Sequence, residues 1–235
     1  MAGLTPMMQQ YMEVKSKYKD CILFYRLGDF YEMFFDDALT ASRELELTLT
    51  GRDCGLSERA PMCGVPYHAV ETYLDRLIEK GYKVAICEQM EDPALAKGLV
   101  QRDVIRVVTP GTVIESGMLD ERSNNFLLSV CFSGEKAGLA FADVSTGEFF
   151  VHQVEDAGRT LADEVTRISP VEIIASDLIR LREYVNRDDL SMSERPGTTF
   201  QYQNASETLC KHFHLQDLSP LGLTDEYRLA AQAAG

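Results

Sequence analysis

The residues best suited to recognition chemistry are an aromatic ring and a carboxylate two positions apart, Phe30 and Glu32. They lie in the stretch CILFYRLGDFYEMFF, where apolar and aromatic residues dominate both sides of Gly28-Asp29. This pattern predicts two strands joined by a tight turn. Because side chains alternate between the faces of a strand, Phe30 and Glu32 share one face and Tyr31 lies on the other. The alternative is that Phe30 is an ordinary core residue.

A second group of candidate residues consists of carboxylates in the second half of the chain. Asp143 ends a predicted strand, and Glu148 and Asp163 follow it in sequence. Carboxylate oxygens are the ligands that Mg²⁺ prefers, so a metal-dependent nuclease is one hypothesis for this half. The alternative is that these acidic side chains are simply solvated.

Local signals in the first half predict helices and strands in alternation. Thr5-Pro6 is typical of a helix start, and acidic residues at 36 and 37 favour the N-terminus of another helix. Residues 50–60 contain two glycines without periodicity and are predicted to form an exposed loop. The remaining predictions are a helix to about Tyr18, a helix to about Leu45, the segment Pro61–Pro66 leading into a helix from Tyr67 or His68 to Gly81, a strand Val84–Cys87, a loop Pro93–Gly98 and a strand Val104–Val108.

The second half begins a new pattern after a polar, acid-rich segment. Its predicted elements are strands Phe126–Phe132, Ala137–Asp143 and Glu148–Val154, a helix Gly158–Ile168, a strand Val171–Ile174 and a helix Leu178–Asn186. Alternating helices and strands favour an α/β architecture. Three antiparallel strands followed by alternating helix and strand resemble a ribonuclease-H-like fold. We therefore predict a mixed-sheet domain over residues 1–115, a linker over 116–125 and a ribonuclease-H-like domain over 126–235, which the helix-forming end LAAQAAG indicates is truncated.

Composition limits the classes of function. Residues 1–115 carry 13 basic and 18 acidic side chains, residues 116–235 carry 10 and 19, and the net charge is −14. Because DNA affinity comes largely from neutralising phosphates, such a chain should bind DNA weakly unless its basic residues cluster or other domains contribute.

Cellular location and thiol chemistry also follow from composition. No apolar run is long enough for a membrane span and no secretory signal is present, so a cytoplasmic protein is expected. The six cysteines include no C-x-x-C pair and are expected to be reduced and mostly buried. Cys54, Cys63 and His68 have the wrong spacing for a common zinc site.

Six strings spread through the chain resemble one family, in that family's order. They are TPMMQQY, GDFYEMF, PMCGVPYHAVETYL, VAICEQMEDP, VIRVVTPGT and GLAFADVSTGEF. The family is MutS, the bacterial DNA mismatch-repair sensors, and GDFYEMF resembles its mismatch-recognition motif.

The resemblance implies a role for Phe30 and Glu32. In the family the aromatic enters bent DNA from the minor groove and stacks on one mispaired base, while the glutamate hydrogen-bonds that base. A mispair stacks poorly, so opening its base step costs less than opening a paired one. An ionised Glu32 accepts from thymine N3–H or guanine N1–H, whereas a hydrogen bond to a purine N7 requires a proton on the carboxyl group.

Four further residues are predicted to contact DNA. Arg52 and Arg102 are candidates for phosphate contacts, with solvated arginines as the alternative. His68 lies at a helix start, whose backbone N–H groups suit a phosphate. Met33 is expected on the face of Phe30, flanking it.

The resemblance also implies partners. The family's second domain is a connector, not a nuclease, that links the reader to ATPase domains and contributes to binding MutL. No G-x-x-x-x-G-K-[ST] motif occurs in the sequence, so no ATPase activity and no cofactor are expected of this chain. The full-length family protein is a DNA-dependent ATPase that uses ATP and Mg²⁺ and forms a homodimer, whereas this chain alone is expected to be a monomer. After DNA recognition and a nuclease, an interaction module formed by the second half is thus the third class of function.

Overall fold

The structure, a computed structural model, describes residues 3–91, 98–114, 116–119 and 122–235. The chain forms two compact units, Met1–Thr109 and Pro110–Gly235. Each unit contains a mixed sheet with helices, which confirms the predicted α/β class. The domain ends at residues 115 and 126 and the linker between them stay predictions.

The first unit contains a six-stranded sheet. Its elements are α1 (Pro6–Lys17), β1 (Ile22–Leu27), β2 (Phe30–Phe34), α2 (Phe35–Leu45), β3 (Thr50–Arg52), β4 (Ala60–Pro66), α3 (Val70–Glu79), β5 (Val84–Gln89) and β6 (Arg102–Val108). The strand order is β3-β4-β2-β1-β5-β6. Among the described strands of this sheet, β1 and β5 form the one parallel pair.

Most of the local predictions for this unit are confirmed. The Thr5 hydroxyl accepts a hydrogen bond from the backbone N–H of Met8 at 3.4 Å, which caps α1 as the sequence indicated. The hairpin joins β1 to β2 at Gly28-Asp29 as predicted. The predicted loop Pro93–Gly98 lies outside the described residues, apart from its last glycine.

One prediction of secondary structure for the first unit is wrong. Part of the predicted loop at residues 50–60 is the edge strand β3, whereas the segment Pro61–Pro66 lies in the strand β4 and leads into the helices from Tyr67 as predicted. The glycines of residues 50–60 are typical of a loop. The pairing of Thr50 with Met62 and of Glu32 with Gly64 nevertheless forms these strands, because cross-strand partners supply hydrogen bonds that local preference does not reveal.

Different helices pack on the two faces of this sheet. On one face α1 packs Met8 and Tyr11 against Leu23, Tyr25 and Phe34. On the other face α2 lies against β4, where the Cys63 thiol donates to the carbonyl of Ala38 at 3.5 Å. The hairpin that carries Phe30 is thus anchored from both faces at its base.

The second unit contains a five-stranded sheet. Its elements are β7 (Phe126–Ser133), β8 (Lys136–Asp143), β9 (Glu148–Val154), α4 (Ala157–Ile168), β10 (Glu172–Ala175), α5 (Leu178–Tyr184), β11 (Ser191–Glu194), α6 (Tyr202–Phe213) and α7 (Arg228–Ala234). The order is β11-β10-β7-β8-β9, with β7, β8 and β9 antiparallel and with β10 parallel to both β7 and β11. This meander followed by parallel strands is the expected ribonuclease-H-like pattern. Sequence analysis missed β11 and α6.

The cysteines agree with the expectation that they are mostly buried thiols. All six cysteines are free, and five of them are buried. Among the described residues, no helix combines the length and apolar character that crossing a membrane requires.

Candidate nucleic-acid interface

The tip of the β1–β2 hairpin exposes a single aromatic ring from β2. Phe30 pairs with Leu27 on β1 and with Pro66 on β4, and it is 47% exposed. The other apolar residues of β2 are buried, Tyr31 and Met33 on one face and Phe34 under α1. Single exposed apolar side chains are common on protein surfaces, so the exposure of Phe30 gains significance only from the polar groups beside it.

Glu32 lies beside Phe30 on the same face, as the alternation of the strand predicts. Its cross-strand neighbours are Tyr25 and Gly64. One carboxylate oxygen of Glu32, Oε2, forms an ion pair with the guanidinium of Arg52, and the side chains are 15% and 38% exposed. A methyl group on Gly64 would lie 3.5 Å from Glu32 Cγ and 3.2 Å from the Tyr31 carbonyl oxygen, so glycine here leaves room for the carboxylate. The structure thus brings Phe30, Glu32 and Arg52 onto one face.

The predicted position of Met33 beside Phe30 is wrong. Met33 lies three residues along the strand, so it points to the opposite face with Tyr31. It is completely buried and pairs with Cys63 on β4. Met33 therefore supports the core behind the hairpin, and it is not accessible to flank a bound base.

Arg102 belongs to a hydrogen-bonded network at the other side of the hairpin. Its Nε donates to the carbonyl of Arg26 at 2.8 Å, and its Nη1 donates to Gln10 Oε1 at 3.0 Å and to the carbonyl of Val100 at 2.9 Å. The guanidinium also lies 5.1 Å from the ring centroid of Tyr25. These contacts connect α1, β1 and β6, so Arg102 has a structural role that its sequence position did not reveal. Its predicted phosphate contact stays a prediction.

His68 is exposed in the short 3-10 helix Tyr67–Ala69. Its ring packs edge-to-face with the ring of Tyr67, with 5.8 Å between the ring centroids. The Tyr67 ring lies under the guanidinium of Arg26 at 3.9 Å. Arg26 also pairs with Glu88 at 3.7 Å, and the Tyr31 hydroxyl donates to the same carboxylate.

These contacts support the hairpin tip from the face opposite Phe30, and sequence reasoning missed both Arg26 and Tyr67. The alternation of β1 places Arg26 on the face of Tyr31. Its partners Glu88 and Tyr67 come from β5 and from the 3-10 helix after β4, which no local pattern identifies. Burial, with the hydrogen bond to Glu88, raises the pKa of Tyr31 to about 12, so this hydroxyl stays a donor at neutral pH.

The second unit does not assemble the predicted carboxylates into a metal site. Asp143 is almost fully buried, and its carboxylate accepts from the backbone N–H groups of Asn125 and Ser145, each at 2.9 Å, and from the Ser145 hydroxyl at 2.6 Å. Glu148 accepts from Asn124 Nδ2 at 2.6 Å, and Asp163 is exposed on α4. Among the described residues, no three histidine, cysteine or acidic side chains are grouped to hold a metal ion. Asp143 therefore stabilises the β8–β9 turn.

Comparison with known proteins identifies relatives across the whole chain. Family models described as MutS domain I and MutS domain II match residues 5–117 and 125–235. Proteins named DNA mismatch repair protein MutS match at 54% identity over 242 residues in Ruminiclostridium cellulolyticum and at 51% over 240 residues in Lachnoclostridium phytofermentans, in both cases over 100% of this chain. The protein of the same name from Alkaliphilus oremlandii matches at 58% identity over 95% of the chain. The chain spans 26–27% of the length of these relatives.

Proposed function

Because the chain belongs to the MutS family, we propose that it forms the part of a DNA mismatch-repair protein that recognises mispaired bases and connects this reader to the rest of the protein. Phe30 inserts from the minor groove and stacks on one base of the mispair. Glu32 accepts or donates a hydrogen bond at the same base. The observation that carries this proposal is the exposed Phe30 ring beside Glu32 at the tip of the hairpin.

The physics of the proposed wedge depends on the deformability of DNA. Inserting a ring between base pairs costs a few kcal/mol of stacking at a paired step, and less where the bases already stack poorly. An aromatic ring regains about 1–3 kcal/mol by stacking on a base of any identity. A single phenylalanine therefore discriminates mispaired from paired sites without reading the sequence.

The charge of the chain indicates where the remaining affinity originates. The pair of Glu32 and Arg52 has no net charge, and the Nε and Nη1 groups of Arg102 already donate within the first unit. We propose that phosphate contacts come mainly from regions of the full-length protein outside this chain. Weak DNA binding by the chain alone is consistent with this division.

The test compares mismatched and matched DNA with the full-length protein that we propose contains this chain. Fluorescence anisotropy measures binding to a duplex with one unpaired thymine and to its matched counterpart. Phe30→Ala should reduce the preference for the unpaired site by roughly 5- to 150-fold, the equivalent of about 1–3 kcal/mol. Ile105→Ala is the control, because Ile105 is 59% exposed on the edge strand of the same sheet. A preference that persists in Phe30→Ala contradicts the wedge.

For the second unit we propose the connector role of the family's second domain. The unit relays the state of the reader to ATPase domains that hold ATP and Mg²⁺, in a cytoplasmic homodimer, and contributes to binding MutL. The match to MutS domain II and the structural use of Asp143 support a connector over a nuclease. Calorimetric titration of this chain with MutL tests the docking part, and an absence of binding contradicts it.

A further inference from the structure

The contact between Arg52 and Glu32 crosses a strand. Arg52 ends the edge strand β3 and pairs with Ala60 on β4, whereas Glu32 on β2 pairs with Gly64 on the same strand. The Arg52 side chain reaches diagonally across β4 to Glu32. Because Gly64 has no side chain, nothing at that position separates the two groups. The guanidinium is thus directed toward the only carboxylate on β2, beside the exposed ring.

The two oxygens of the Glu32 carboxylate are in different situations. Oε2 accepts from Arg52 Nη1. In the part of the chain that the structure describes, Oε1 has no hydrogen-bond partner. It is also not completely buried. One oxygen is therefore held in place while the other stays available on the face of Phe30.

We infer that Arg52 is a positioning residue for Glu32, which fixes one carboxylate oxygen and balances its charge so that the other oxygen can meet a base stacked on Phe30. This inference rests on the proposed function and adds a residue to it. It differs from the direct phosphate contact predicted for Arg52 from sequence.

The physical need for such a residue comes from the ligand. A carboxylate that approaches DNA is repelled by the phosphates, and this repulsion grows as water is displaced. Arginine remains charged under all ordinary conditions and donates in a fixed planar geometry, so it compensates the carboxylate and also limits its rotation. A mispaired base beside Phe30 then meets an oriented acceptor, which suits the N3–H of thymine or the N1–H of guanine.

The experiment is a double-mutant cycle in the full-length protein, with Arg52→Gln, Glu32→Gln and the combination of both. Binding to the duplex with one unpaired thymine and to the matched duplex is measured for each variant. Arg52→Gln should reduce the mismatch preference about fivefold, the upper range for a partly exposed ion pair, and should have no effect on it in the Glu32→Gln background. Arg52→Lys, which retains the charge, should recover part of the preference.

Controls separate this role from folding and from a phosphate contact. Arg59→Gln removes an exposed arginine from the turn between β3 and β4 and should leave the preference unchanged. Thermal unfolding of each variant identifies any loss of folded protein. An Arg52→Gln effect that is equal on both duplexes and persists with Glu32→Gln, with a salt slope reduced by about one, contradicts the inference and indicates a phosphate contact. An absence of mismatch preference in the unmutated protein overturns the proposed function itself. A loss of mismatch preference in Phe30→Ala supports that function, regardless of the result of the double-mutant cycle.

Discussion

Asp37 links helices α1 and α2 to strand β1 of the hairpin, and its replacement by asparagine should destabilise the first unit. It lies in the first turn of α2 and is 7% exposed. Its Oδ1 accepts from Lys15 Nζ on α1 at 2.9 Å, and its Oδ2 accepts from the Leu23 backbone N–H on β1 at 3.0 Å and from the Tyr11 hydroxyl at 3.3 Å. Burial and the Asp37 charge raise the pKa of Tyr11, which keeps that hydroxyl a donor.

The expected loss in the free energy of unfolding of Asp37→Asn follows from these contacts. A hydrogen bond to a charged group contributes about 1.5–3 kcal/mol, and breaking a buried ion pair costs about 3–5 kcal/mol. The Lys15 side chain is 21% exposed and retains a bond to the Cys21 carbonyl, so water and that carbonyl compensate part of the lost pair. Asparagine still offers one acceptor oxygen. The net destabilisation should be about 2–3 kcal/mol, which lowers the unfolding midpoint of a unit of this size by roughly 10 to 20 °C.

The assay is thermal unfolding monitored by tyrosine fluorescence. The chain has no tryptophan, and most of its ten tyrosines lie in the first unit, namely Tyr11, Tyr18, Tyr25, Tyr31, Tyr67, Tyr73 and Tyr82. Asp36→Asn is the matched control, because Asp36 is exposed in the same helical turn and loses only about 0.3–1 kcal/mol of favourable interaction with the helix N-terminus. If Asp37→Asn lowers the midpoint no further than Asp36→Asn, the network does not stabilise the unit and the reasoning is wrong.

Two further predictions concern the second unit. Gly138→Ala should destabilise it by at least about 2 kcal/mol, because the added methyl would lie 2.0 Å from the Leu229 carbonyl oxygen and would displace α7. Urea unfolding measures this change in the free energy of unfolding. Gly197→Ala is the control, because a methyl group there would lie in open space. Burial acts to raise the pKa of Asp143, but hydrogen bonds from Ser145 and from backbone N–H groups outweigh it, so the pKa lies below its ordinary value of 3.8. The stability that this depressed pKa contributes is present above 3.8 and is lost as the pH falls below it, through the folded-state pKa. Asp143→Asn should therefore reduce stability at pH 7 and flatten its acid dependence between pH 7 and pH 2 in urea unfolding, and an equal acid dependence of both proteins would contradict this role.

Several features of the interface were predictable because they depend on short-range periodicity. Alternation along a strand places Phe30 and Glu32 on one face once the Gly28-Asp29 turn is identified. The expectation that Met33 shares this face departed from the same rule and is wrong. The cap at Thr5 and the meander of β7, β8 and β9 also follow from local signals. In each case the interacting groups lie within a few residues of one another, so chain geometry alone fixes their relation.

The sequence by itself thus determined that Phe30 and Glu32 share one face of a strand and that both units have α/β character. The tertiary structure alone decided that Arg52 meets Glu32, that Arg102 joins α1 to β6 and that Tyr67 stacks on Arg26. It also decided that residues 50–52 form an edge strand. These contacts join residues between 20 and 92 positions apart, and their formation depends on the order and register of strands in the sheet. Register is set by the packing of whole faces, which no local stretch of sequence encodes.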